Sequence, residues 1–189
     1  MPLYSLYSLM IISTTCAAVR VQTPVMCESK LACHAPRTIH GGMLRTWTYN
    51  SDDINRLQIA IANIGRPLDT DIELWHGSDN TPSKIRIYSQ NGKCHGFRAV
   101  IQTPLNDNTI AIRNIGSPEF PLSASVSRNV SICSEWFSDK TPHKIQGRAL
   151  RTYSFSAQID EIHFFLTTTG NPLNGRIELI QESNTCLLY

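Results

Sequence analysis

Residues 65–80, GRPLDTDIELWHGSDN, are written a second time as residues 170–185, GNPLNGRIELIQESNT. Gly65, Pro67, Leu68, Ile72, Glu73 and Leu74 stand against Gly170, Pro172, Leu173, Ile177, Glu178 and Leu179. A second echo lies upstream of each copy, LRTWTY from Leu44 against LRTYSF from Leu150. The offsets are 150 − 44 = 106 and 170 − 65 = 105. Two anchors at nearly one offset mark a tandem repeat of roughly a hundred residues, a period that suits duplicated domains better than a solenoid of short units.

Within the first copy the pattern is one of short alternating segments. Leu68, Thr70, Ile72 and Leu74 point one way, and Asp69, Asp71, Glu73 and Trp75 the other. Leu57, Ile59 and Ile61 share a face in the segment before it, as Ile85 and Ile87 do after it, with Lys84, Arg86 and Tyr88 outward. Gly65-Arg66-Pro67, residues 77–82, Asn91-Gly92, residues 104–107 and residues 116–118 supply turn signals. Strands are expected at residues 44–49, 54–63, 68–76, 84–88, 97–103, 109–115 and 119–126, and no segment keeps a helical pattern for three turns. That density of strands predicts an all-β chain of tandem antiparallel β-sandwich, jelly-roll-like repeats.

The second copy predicts strands at residues 150–155, 159–167 and 173–181 and then stops, so it is incomplete. Three strands alone leave a hydrophobic face and open edges. Three accounts are open: packing on the first repeat, completion by another chain through strand exchange, or a truncated gene model. The tail at residues 186–189 favours the last, and a segment resembling residues 81–126 is then expected beyond Gln181.

The domain boundaries read as a leader over residues 1–43, a first sandwich over 44–126, a linker over 127–146 and the incomplete second repeat over 147–189. Residues 1–18 carry no charge and end in small residues, like a signal-peptide core with cleavage near residues 16–18. They are too short and too lightly apolar for a stable membrane span. The basic, acid-poor stretch that follows resembles a transit peptide. The competing reading is a largely disordered leader or an incorrect start codon. In the linker, the Trp136-Phe137 pair is expected to pack on a neighbouring domain, and Asn129 opens a chance glycosylation sequon.

Net charge of +2 gives no bulk electrostatic reason for nucleic-acid binding. The six cysteines fit neither a disulfide framework nor zinc-ligand spacing, so free thiols are expected and no cofactor or metal is assigned.

Asp69, Asp71 and Glu73 share a face and suggest a carboxylate pair or a calcium site. The next strand presents Lys84 and Arg86, however, and cross-strand ion pairs account for the acids. The second copy writes Asn174, Arg176 and Glu178 there, so two of the three acids are not kept. His76 aligns with Gln181 and His163 with Gln58. No nucleophile elbow, zinc-protease helix or phosphate loop is present. No catalytic residue is assigned. What the copies share is turn and core, which suits a scaffold whose surfaces bind. Trp75, Asp69, Asp71 and Arg86 are the candidate interface, with Trp75 either an exposed anchor or covered by the linker.

The run from GRPLDTDIELWHGSDNTPSKIRIYSQNG through FRAVIQTP, NTIAIRNIG and EFPLSASV resembles the pyrenoid shell (PyShell) proteins of diatoms and related algae with red-derived plastids. The resemblance covers residues 44–126 and, partially, 147–184. It implies a plastid pyrenoid protein that self-assembles, alone or with paralogous repeat proteins, into a sheet around the Rubisco matrix. Such a protein supports carbon fixation without catalysing a step. This chain departs from the pattern in its incomplete second repeat and in having Val19 or Arg20, not an aromatic residue, after the cleavage site. The alternative is a secreted or luminal β-sandwich module that binds carbohydrate on Trp75 or Trp47.

Overall fold

The computed structural model describes residues 6–13, 16–22, 35–51, 54–63, 67–76, 82–90, 96–104, 106–128, 143–155, 161–168 and 172–182. All regular structure among them is strand, in chain order β1 (Leu6–Ser13), β2 (Cys16–Gln22), β3 (Arg37–Ile39), β4 (Leu44–Ser51), β5 (Arg56–Asn63), β6 (Leu68–His76) and β7 (Ser83–Ser89). There follow β8 (Phe97–Gln102), β9 (Asn106–Asn114), β10 (Leu122–Ser127), β11 (His143–Lys144), β12 (Leu150–Phe155), β13 (Glu161–Thr167) and β14 (Asn174–Glu182). The all-β reading holds.

The strands form a 7-stranded sheet ordered β12-β1-β14-β7-β6-β9-β4, a 4-stranded sheet ordered β3-β10-β5-β8, and a 3-stranded sheet ordered β11-β2-β13. The block β7-β6-β9-β4 and the sheet β3-β10-β5-β8 hold four strands each, and the chain crosses between them at every step from β3 to β10 except the consecutive pair β6 and β7, so the two interleave much as a jelly roll does. Alternation explains its core. The inward positions Leu68, Thr70, Ile72 and Leu74 of β6 are all buried and meet Ile39, Leu57, Ile59, Ile61, Ile110, Ile112, Leu122 and Val126. Polar side chains tie the layers where the chain bends. Asn114 donates through Nδ2 to the Ile39 and Phe120 carbonyls at 3.0 and 2.9 Å, and its Oδ1 accepts from the Gly116 N–H at 2.9 Å. Across the sandwich, the Tyr49 hydroxyl donates to the Val126 carbonyl at 3.1 Å. Gly41 sits against the Ser117 carbonyl, where an added Cβ would lie 2.1 Å from the oxygen, so no larger residue fits without a shift.

The boundaries differ from those expected in three places. Residues 37–39, assigned to the leader, are the edge strand β3, with Ile39 wholly buried. The linker contributes β11 and the buried Ile145. Residues 6–13 and 16–22, expected to be leader and largely disordered, are strands. The reason is ladder edges: β1 lies between β12 and β14, antiparallel to both, and pairs backbone groups that would otherwise stand open on each. In the same way β2 lies between β11 and β13.

These two strands take the places that β9 and β10 hold in the first sandwich. Trp47 faces Ile110, and its sequence counterpart Tyr153 faces Leu9. Ile72 faces Ile112, and its counterpart Ile177 faces Ile11. Both comparisons give one offset, 110 − 9 = 112 − 11 = 101. For β2, Arg37 faces Ala124 as His143 faces Ala17, and Ile59 faces Val126 as Phe164 faces Val19. The offset is again single, 124 − 17 = 126 − 19 = 107. The second group of strands therefore includes β12-β1-β14 over β11-β2-β13, with no described strand matching β8. Among the residues of this group whose burial is described, Ile145 and Ile177 are buried, whereas Tyr153, Ile162 and Leu166 are only partly so.

Residues 64–66, 77–81, 91–95 and 169–171 lie outside the described residues, and with them Gly65 and Gly170. Trp136-Phe137, the Asn129 sequon, and Cys27, Cys33, Cys94, Cys133 and Cys186 also lie outside. Among the described residues no helix is long and apolar enough to cross a membrane.

Candidate functional site

The outward face of β6, β7 and β14 carries the shared motif and the variable acids together. Alternation sends Asp69, Asp71 and Glu73 outward from β6, and the antiparallel register sets Asp71 opposite Arg86 and Glu73 opposite Lys84. Lys84 Nζ lies 2.7 Å from Asp71 Oδ2 and 3.3 Å from Glu73 Oε1. Arg86 donates through Nε and Nη2 to the two oxygens of Asp69 at 3.2 and 3.1 Å, a forked pair that fixes both side chains. On the other flank of β6, Asp71 is opposite Arg113 of β9. On the far side of β7, Arg176 pairs with Glu178 within β14. The face is a lattice of alternating charge rather than a patch of one sign.

The electrostatics follow from this pairing. Burial pushes the Glu73 carboxyl up, but hydrogen bonds from Trp75 and Lys84 outweigh it and hold the group below the ordinary carboxylate value. The hydrogen bond to Asp71 raises Lys84, against the opposing effect of burial. Arg86 is raised chiefly by its bond to Asp69. A carboxylic general acid needs the opposite shift, upward. The three acids do come together as the sequence suggests, and they come together as partners of cations.

Trp75 is 42% exposed, and its Nε1–H donates to Glu73 Oε2 at 2.9 Å. Its ring therefore stands on the charged face with its polar atom already bonded. Trp47 is buried, 8% exposed, with the Arg37 guanidinium 5.9 Å from its ring centroid, and so is no stacking platform for a sugar. Of the motif residues, Leu68, Ile72, Leu74 and Ile177 are buried, while Leu173, Glu178 and Leu179 are half-buried. Pro67 and Pro172 stand exposed just before β6 and β14, and the Pro67 carbonyl accepts from Asn63 Nδ2 at 3.2 Å.

Packing of the second repeat on the first was one of three accounts the sequence left open, and the edge-to-edge joint between the two groups of strands was not foreseen. There β14 runs parallel to β7, with Ile177 beside Ile87 and Arg176 beside Arg86. The Lys84 N–H donates to the Leu173 carbonyl at 2.6 Å, the Gln90 N–H to the Leu179 carbonyl at 3.1 Å, and the Leu173 N–H to Ser83 Oγ at 3.3 Å. Main-chain bonding of this kind leaves no mark in residue identity. Among the described residues no cluster of His, Cys, Asp and Glu is placed to hold a metal.

Fold and face together define a class: an all-β protein of packed sheets whose two strand groups are joined edge to edge under a charge-paired surface. A model of the diatom pyrenoid shell protein family matches residues 29–187, and the chain belongs to that family. No curated protein matches the chain.

Proposed function

We propose that this chain is a non-catalytic structural subunit that self-assembles through its β-sandwiches into the shell around the pyrenoid Rubisco matrix of a plastid, and so supports carbon fixation. Family membership over residues 29–187 carries this reading. The charge-paired face of β6, β7 and β14 supports it, because its acids are bonded to cations and its Glu73 carboxyl is shifted away from acid catalysis. Partners are further copies of the chain, paralogous repeat proteins, and the Rubisco matrix at the inner surface.

Localisation of a tagged full chain relative to Rubisco tests the reading directly. A rim of signal enclosing the Rubisco focus is the expected result, and signal diffuse or outside the plastid overturns it. The alternative, a carbohydrate-binding module, rests on the exposed ring of Trp75. Retardation of a monomeric chain in polysaccharide gels, lost in Trp75→Ala, would favour that alternative.

A further inference from the structure

The second strand group is assembled from both ends of the chain. Its β11, β12, β13 and β14 come from residues 143–182, whereas β1 and β2, which hold the places of β9 and β10, come from residues 6–22. The connecting segments show a period that the strands alone do not. Between β10 and β11 lie residues 128–142, 142 − 127 = 15 in number. Between β2 and β3 lie residues 23–36, 36 − 22 = 14 in number. So β2 precedes β3 by nearly the interval at which β10 precedes β11. The segment after β10 leads from the first sandwich forward into the second. The same step taken after β2 leads into the first sandwich from a sandwich that stands before it.

The joint between the groups has the same one-way character. Strand β7 pairs with β14 in parallel, and no strand of the second group among the described residues returns that contact to the first. A contact between unlike surfaces is heterologous, and repeating it gives rings or open arrays rather than closed pairs.

We infer that β1 and β2 of one copy complete the β11–β14 group of a neighbouring copy, so that the chains are linked head to tail by exchanged strands. The arrangement within one chain is the closed form of the same contact, since the ladder and its register are identical whichever copy donates. Residues 23–36 span up to about 50 Å when extended, at about 3.3–3.6 Å per residue, a length that allows the donor strands to leave their own chain. This rests on the reading of the protein as a self-assembling subunit and supplies the link between its units.

The test uses full-length chains carrying two different affinity tags, one with Ser8→Cys and the other with Ile180→Cys. These positions are paired in the register, and Ile180 is partly exposed. The two are coexpressed and treated with a short bis-maleimide. Each single variant coexpressed with the unsubstituted chain measures the background from the native cysteines. The expected result is a covalent product bearing both tags, several-fold above background, and its loss when Met10→Pro is added to the donor. Sheets or tubes in negative stain without a two-tag product overturn strand exchange and leave the shell reading standing. A two-tag product at the wrong cellular site overturns the shell reading alone. Terminal sequencing of the chain purified from its own cells provides a second check: a mature protein beginning after Gln22 lacks both donor strands and overturns the exchange.

Discussion

Lys84 is the residue on which the charged face depends, because among the described residues it alone makes ion pairs with both Asp71 and Glu73. The Asp71 side chain is only 10% exposed, so removing the ammonium leaves a largely desolvated carboxylate without its nearest cation. Lys84→Met is expected to cost about 1–2 kcal/mol, toward the low end for a charged partner because Lys84 itself is partly solvated. The midpoint of urea unfolding measures it, and an unchanged midpoint would show the pair to be ornamental. Glu73 adds a pH dependence. Its folded pKa is lowered, so its contribution is present above the unfolded value of about 4.3 and is lost as pH falls through the folded value. Lys84 is raised, so its contribution is present below about 10.4 and is lost as pH rises through the folded value. Glu73→Gln should therefore flatten the acid limb of the stability profile and weaken the alkaline limb only in part, because the hydrogen bond to Asp71 is the largest cause of the Lys84 shift and Glu73 a smaller one. These pairings were legible in the sequence, since acids and bases at period two on consecutive strands leave few other arrangements.

At the scale of elements, β1 decides whether the second strand group closes. A proline has no N–H to donate and breaks a ladder in the middle of a sheet. Met10 is paired with Thr152 on one side and Glu178 on the other. Met10→Pro is thus expected to speed hydrogen exchange of β12 and β14 while leaving β6 and β9 protected; equal protection in both chains would remove β1 from the fold. The two motif copies should also differ in weight. Ile72 is 1% exposed inside the fuller sandwich, and Ile72→Ala is expected to cost about 3–4 kcal/mol, in the usual range for a buried Ile. Ile177→Ala is expected to cost about 2 kcal/mol, because Tyr153, Ile162 and Leu166, described residues of the same group, are only partly buried and leave a site that collapses more easily. Denaturant titration of the two variants compares them. The uncharged run in β1 was legible only as an apolar segment, since a secretory core and an inner strand of a sheet are composed alike.

Across the whole molecule, the two strand groups share a sheet, and their described residues are not equally buried. Among the residues whose burial is described, those buried to 2% or less come from β3, β5, β6, β9 and β10, all of the first sandwich. Local opening follows apolar burial, so the second group is expected to unfold at lower denaturant than the first. Two steps in urea, the earlier one accompanied by loss of protection in β12–β14, would bear this out; one cooperative step with uniform protection would contradict it. The sequence by itself determined what depends on neighbours in the chain: the period-two alternation, the turns, the duplicated motif and hence the all-β class. Only the tertiary structure decided which edges meet. It placed β1 and β2 beside strands more than a hundred residues away, set β14 parallel to β7, and formed strands at residues 6–13 and 16–22, where largely disordered chain was expected. The reason is that strand partners are chosen through backbone N–H and C=O groups, which are the same in nearly every residue, so the choice is written in the geometry of open edges rather than in the order of side chains.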